Sequence, residues 1–451
     1  HYVNISFHIH KQICMRRNPM QKSKKLTLAI LIQATLVSTA FASEQSESKG
    51  FVEDAEGSVL FRTGYIQRDK KNVAPGEDNS SFAQSAIVKL ESGFTQGVVG
   101  FGINAVGDAS IKLGRNGHTG NNMIPVHDQL NADGTKDAYD HWARGGASVK
   151  ARISNTTVEY GTQVLDLPVL ASNTGRMVPE YFEGVLAKSR EIEDLEVVVG
   201  KFTKNQMSEQ ISTDENKLNS AIVWGAKYKF NDQINGSYYG IDSKNALERH
   251  YVNANFKQPL ANNASLTYDF SGYRTEWDKG ASASSSTLDA NSDDRSNNIW
   301  AISGSYNTGA HNVMLAYQQS TGNTGYAYGE NADGFQSIYL PNSYLSDFNG
   351  RDEKSVQVQY SVDLGQYVTP GLSWTSAYVY GWDIDTATDS NAKESEIFNQ
   401  VKYTVQSGFA KDASLRVRYS HYRNDDAYAN DYYMPDTNEW RLFLDIPVKL
   451  F

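Results

Sequence analysis

Apolar and polar residues alternate along most of this chain, most clearly in its last fifty residues. Val401, Tyr403 and Val405 fall on one face of a segment whose other face carries Lys402, Thr404 and Gln406. Leu415, Val417 and Tyr419 alternate with Arg416, Arg418 and Ser420. Trp440, Leu442, Leu444, Ile446, Val448 and Leu450 alternate with Arg441, Asp445 and Lys449. A period of two is the signature of β-strands. Eighteen segments show it, roughly 58–68, 84–94, 97–108, 145–153, 156–164, 181–190, 195–204, 218–230 and 233–242 in the first half. The second half adds 248–257, 264–276, 297–308, 312–321, 354–364, 371–382, 395–407, 413–423 and 438–450.

The connections alternate in length. Short ones, such as 154–155, 231–233, 308–311 and 409–412, carry the Asn, Asp, Gly and Pro that tight turns require. The others are mostly long, notably 109–144, 165–180, 277–296 and 322–353; only 243–247 is brief. An even strand number with short turns at one end and long loops at the other is the layout of an outer-membrane barrel. An open soluble sheet of this size would be unusual. Closure satisfies every backbone polar group in lipid, and a barrel this wide holds an aqueous lumen. The predicted fold is therefore all-β, a transmembrane antiparallel β-barrel of eighteen strands, with the loops at 165–180 and 322–353 folded into the lumen. Trp142, Trp224, Trp300, Trp374 and Trp440 lie near strand ends and read as interfacial girdles, with ordinary sheet packing as the alternative.

Composition refines this picture. Residues 20–42 form a secretory signal: Lys22, Lys24 and Lys25, an apolar core from Leu26 to Val37, and the small residues Ala40 and Ala42 at a cleavage site. The apolar core is too short to span a bilayer, which takes about 20 residues. Residues 1–19 read as an upstream extension without structural role, and they hold the one cysteine, Cys14. The barrel domain is then 43–451, with no cysteine and no disulfide framework. Six of the 42 lysines and arginines lie in the presequence, leaving 36 against 52 acids, a charge of −16 that disfavours nucleic acid.

Strand phase assigns the lumen. Arg62 lies between Phe61 and Thr63, Lys150 and Arg152 alternate with Val149, Ala151 and Ile153, and Lys402, Arg416, Arg418 and Arg441 come from the last three strands. Pairing of the last strand with the first is expected to join Arg62 to that group, beside Arg441. Guanidinium groups are planar forks that stay charged and match a carboxylate, and several moderate sites suit permeation better than one tight one. The alternative is that the cations pair with luminal acids, Asp445 and Glu439 being nearby. The loop 165–180, with Asp166, Pro168, Arg176 and Pro179, and the loop 322–353, with acidic and tyrosine side chains, are the expected constrictors. Such a pore would favour solutes bearing a carboxylate and an amine.

The chain resembles the OprD-type outer-membrane porins, the outer-membrane carboxylate channels. The resemblance runs through KGFVED (49–54), LESGFTQGVVGFG (90–102), RGGASVKARIS (144–154), LPVLA (167–171), LAYQ (315–318), SDFNG (346–350), LRVRYSHYR (415–423) and NEWRL (438–442). It implies an eighteen-stranded barrel narrowed by two loops, a basic ladder, an opposed acidic pocket, and passive uptake of small carboxylate-bearing nutrients and, in certain members, carbapenems. By resemblance Lys150, Arg152, Lys402, Arg416, Arg418, Arg441 and Arg62 take ladder positions, and Asp347 and Tyr328 take the pocket. Glu159, Gln359 and Ala377 stand where the ladder would carry cations.

A barrel enzyme is the alternative from another class, with His250, His311 and His421 as its candidates. Neither a nucleophile signature nor metal-spaced ligands accompany them, so no catalysis and no cofactor are expected. The expected partners are small solutes and outer-membrane lipids including lipopolysaccharide, with the chain a monomer or a loose trimer in the Gram-negative outer membrane.

Overall fold

A computed structural model describes residues 42–73, 78–114, 120–132, 136–212, 218, 220–281, 295–330, 332–431 and 434–451. The segments expected to be an upstream extension (1–19) and, from residue 20, a secretory signal lie outside the described residues up to residue 41. Among the described residues, eighteen strands form one antiparallel sheet. They are β1 (Glu56–Lys70), β2 (Asn79–Glu91), β3 (Val99–Lys112), β4 (His141–Ile153), β5 (Thr156–Gln163), β6 (Tyr181–Ser189), β7 (Leu195–Gln206), β8 (Ala221–Lys229) and β9 (Ile234–Ser243). There follow β10 (Leu247–Pro259), β11 (Ser265–Trp277), β12 (Ser296–Thr308), β13 (His311–Gly322), β14 (Lys354–Asp363), β15 (Leu372–Ile384), β16 (Ala392–Thr404), β17 (Ser414–Asn424) and β18 (Thr437–Lys449). Each strand pairs with its neighbours in sequence, and β1 also pairs with β18, so the sheet closes without an edge.

The short turns use backbone conformations that their residues tolerate. Ser154 starts the two-residue β4–β5 turn at φ 54°, and Gly309 turns β12 into β13 at φ 55°. Every predicted strand is present, and boundaries differ mainly where strands run on into loops: β2 starts at Asn79 and β4 at His141. Alternation does not announce the two small hairpins inside loops, 126–130 with 136–138 and 166–167 with 170–171, nor the helical turn Asp426–Asp431.

The apolar core sits inside the barrel, where loops meet inward-facing wall residues. Leu165, Leu167, Val169 and Leu170 of one loop and Tyr326, Tyr328 and Leu340 of another pack against Phe182, Phe202, Val223, Ile241, Tyr251 and Tyr273. Burying each large aliphatic side chain contributes about 1.5–3 kcal/mol, enough to hold both loops to the wall. A second cluster joins Met177 and Val178 to Ile66, Phe443 and Trp142. Trp142 is therefore an inward core residue, 5% exposed, and not part of a girdle.

Two expectations from phase change here. Closure sets Arg62 opposite Asp445, while Arg441 faces Ile66, so Arg62 does not stand beside Arg441. Alternation fixes the face of a residue but not the stagger between strands. The terminal Phe451, luminal by simple alternation, lies on the outer face: a Cβ on the outward Gly57 would fall 2.7 Å from its Cζ. Leu450 donates to the Gly57 carbonyl at 2.8 Å and the Gly57 N–H donates to the Phe451 carbonyl at 3.4 Å, so two residues stand opposite one, as in a bulge, and the phase shifts by one.

Candidate functional site

The cations of β16, β17, β18 and β1 face inward in a shared register. Lys402 lies opposite Arg416, and Arg418 opposite both Gln400 and Arg441. Two phenylalanines face inward among them. The Arg416 and Arg62 guanidinium carbons lie 5.2 and 4.8 Å from the Phe443 ring centroid, and that of Arg418 lies 5.0 Å from Phe398. Such stacking fixes the plane of a guanidinium while leaving its N–H edges available. These two rings share the inward phase of the cations, but nothing in the alternation marks them as platforms.

The cations divide into two groups. Arg62 makes a two-pronged pair with Asp445 (2.7 and 2.9 Å) and donates to the carbonyls of Thr174 and Arg176 (3.2 and 2.9 Å), tying the loop 164–180 to the wall. Arg441 and Arg68 both reach Glu439, each at 2.7 Å. Lys402, Arg416 and Arg418 make no ion pair among the described residues.

Lys150 and Arg152 stand apart from this row. Both lie over Phe94, at 4.7 and 4.1 Å, in the turn between β2 and β3. Lys150 donates to the Ser92 carbonyl at 2.7 Å, and Arg152 donates to Gln45 of the N-terminal segment at 3.1 Å. Gln45 in turn donates to the carbonyls of Thr95 and Gly97, both at 3.0 Å, so this segment is laced into the short-turn end of the barrel. Glu159, across from Lys150 in register, accepts from Asn104 and Ser148.

The loops supply the acids. A cavity of about 580 Å³ is lined by Arg68, Arg176 and Arg441 together with Asp166 and Asp347. Asp347 accepts from Tyr328 at 2.6 Å and Ser343 at 2.5 Å, and burial raises its pKa against both hydrogen bonds. Tyr328 does not line this cavity but stands behind Asp347; Tyr339, bonded to Asp166, and Tyr344 line it instead. Arg176 is buried, donates to the Asn121 carbonyl, and is pushed down to about 9 by desolvation and the nearby Arg441. Pro168 and Pro179 act through their carbonyls, which accept from Tyr273 and Arg144. Glu180, buried between the loops, accepts from the backbone N–H groups of Asn173 and Phe335 and from the Asn205 amide, and burial lifts it to about 7.

His250, His311 and His421 lie on the outward phase. His250 bonds Tyr238 and Glu248, and His311 bonds Tyr360 and Tyr367. No group of three or more metal-ligating side chains occurs among the described residues.

A closed eighteen-stranded barrel around a charged, water-accessible interior is a membrane channel. The chain matches the OprD outer membrane porin family over residues 49–450 and belongs to it. It is 34% identical to Porin D of Pseudomonas aeruginosa over 461 residues, 96% of this chain and 99% of that protein. The crystal structure of Acinetobacter baumannii OccAB1 shares 67% identity at a TM-score of 0.85, covering 91% of this chain and all of the other. Pseudomonas aeruginosa OpdK, solved with vanillate, shares 25% identity at a TM-score of 0.76, covering 89% of this chain and all of the other. The protein is thus an outer-membrane, multi-pass β-barrel porin and not an enzyme.

Proposed function

We propose that this porin takes up small carboxylate-bearing solutes passively, among them amino acids, related nutrients and carbapenems. Arg416 and Arg418 carry the solute carboxylate along the wall, with Lys402 continuing the row. The observation that carries this reading is that these two arginines lie over inward phenylalanines without a carboxylate partner, while their neighbours Arg62 and Arg441 are paired. A guanidinium in that state offers a two-pronged site for a passing carboxylate. Asp166 and Asp347 at the loop cavity would meet a solute's amine. The relative OpdK, solved with vanillate, itself a carboxylate, supports the same class. Lipids of the outer leaflet, including lipopolysaccharide, surround a chain that works as a monomer or loose trimer.

Swelling of proteoliposomes in arginine, glutamate and a neutral sugar of similar size tests this. Both amino acids should enter faster than the sugar. Equal rates for all three would leave a general-diffusion porin.

A further inference from the structure

A second luminal cavity, of about 670 Å³, lies on another part of the wall, among β2, β3 and β5 to β9 beneath the loop 164–180. Its floor includes Val164, Leu165, Leu186 and Tyr239, and its cations are Lys89, Lys188, Arg190 and Lys227. Two of these are committed. Lys89 reaches Glu91 at 3.0 Å, and Arg190 reaches Glu196 at 2.7 Å and Glu44 at 3.4 Å. The acids are committed as well: Glu159 accepts from Asn104 and Ser148, and Asp166 accepts from Tyr339.

Lys188 and Lys227 remain. Each is on the inward phase of its strand, Lys188 with Leu186 and Lys227 directly across from Glu196. Neither makes an ion pair or side-chain hydrogen bond among the described residues. Lys188 pairs with Val198 and Val198 with Gly225, which places the two lysine backbones two strands and one pleat repeat apart. That separation is about 12 Å, within which two long flexible side chains can converge on one anion. A lysine left unpaired beside an apolar floor recognises an anion attached to a compact hydrocarbon body, since the stem and the floor bury apolar surface together.

We infer that Lys188 and Lys227 form a second anion-binding subsite, on the wall away from the arginine row, that takes the carboxylate of a solute below the constriction. The cavity reaches Lys89, Arg190 and Glu196, near the short-turn ends of their strands, so a solute held there has passed the loops. The subsite rests on the carboxylate reading above. It adds a landing site that keeps an anion from returning to the arginines.

The test compares wild type with Lys188→Gln/Lys227→Gln and with Lys188→Arg/Lys227→Arg, each first shown to be folded by heat-modifiable migration. Zero-current potentials in potassium chloride gradients report the chloride-to-potassium permeability ratio. Proteoliposome flux compares benzoate with benzyl alcohol. The glutamine variant should lower both the chloride ratio and the benzoate flux about threefold, the scale of a near-surface Coulomb interaction lost in water. The arginine variant should keep both at wild-type values, and benzyl alcohol flux should stay the same throughout. A glutamine variant with wild-type chloride ratio and benzoate flux overturns the subsite. Wild-type protein that passes benzoate and benzyl alcohol equally overturns the carboxylate reading; a chloride ratio that still falls in the glutamine variant then keeps the lysine pair as an anion site.

Discussion

Arg144 and Arg249 look like Arg416 and Arg418 in every local respect. All four are arginines on strands, on the inward phase of an alternating pattern. Their surroundings set them apart. Arg144 reaches Asp108 at 2.9 Å, the same carboxylate takes the Tyr181 hydroxyl at 2.7 Å, and a further N–H meets the Met207 carbonyl. Arg249 pairs with Asp333, donates to Thr275 and the Ala327 carbonyl, and lies over Tyr326. Both are sealed in and bonded on most sides. Arg416 and Arg418 have an aromatic face and no carboxylate. The first pair lies near the long-loop ends of β4 and β10, where loops deliver partners; the second lies on β17 nearer the short turns. A cation that is already paired holds the structure together, and one left without a carboxylate partner, like Arg418 with its buried, unpartnered Nε–H, is available to a solute.

The largest effect should come from breaking a sealed pair. Arg249→Met leaves Asp333 buried without its counter-charge, which costs on the order of 3–5 kcal/mol. The loop 323–353 should then detach, raising single-channel conductance and exposing the loop to added protease. Wild-type conductance and cleavage would remove the distinction between the two pairs. Next comes Arg416→Ala with Arg418→Ala. Glutamate flux should fall about tenfold, equivalent to ~1.4 kcal/mol, with heat-modifiable migration unchanged.

A smaller and different effect is expected at Lys150 and Arg152. Their partners are Phe94, the Ser92 carbonyl, Gln45 and, at 3.9 Å from Arg152, the Glu44 carboxylate. Replacing both with alanine should change solute flux less than about twofold, because both are already bonded within the protein, but should speed proteolysis of the segment 43–55. The mildest effect concerns pH. Glu180 joins the two loops and its carboxyl is raised from 4.5 to about 7 by burial. The folded state therefore binds its proton more tightly than the unfolded chain does. Its contribution is most favourable below pH 4.5, declines as pH rises to about 7, and is level above that. Conductance noise from loop motion should be lower at pH 5.5 than at pH 8, and Glu180→Gln should flatten this difference.

The strands were legible because each obeys a local rule: period two, with turn residues between segments. All eighteen appear where the alternation puts them, and the unequal connections already imply a barrel. Pairing was not legible, because partners come from far along the chain. Arg249 meets a residue 84 positions on, Arg152 one 107 positions back, and Arg62 one 383 positions on. Register is equally hidden, so Arg62 could be assigned to the lumen yet misplaced beside Arg441 when it faces Asp445. The aromatic platforms Phe398 and Phe443 were missed because in alternation an inward phenylalanine is only a packing residue, and Phe94 because it lies in a turn, where β2 has ended. Tyr328 was placed at the pocket but stands one layer behind Asp347.

The most direct measurement is the ratio of glutamate to neutral-sugar flux in proteoliposomes, taken side by side for wild type, Arg416→Ala/Arg418→Ala and Lys150→Ala/Arg152→Ala. The account predicts a ratio well above one in wild type, retained in the Lys150/Arg152 variant and collapsed toward one in the Arg416/Arg418 variant. An equal loss in both variants, or no loss in either, would contradict the claim that unpaired arginines are what select the solute.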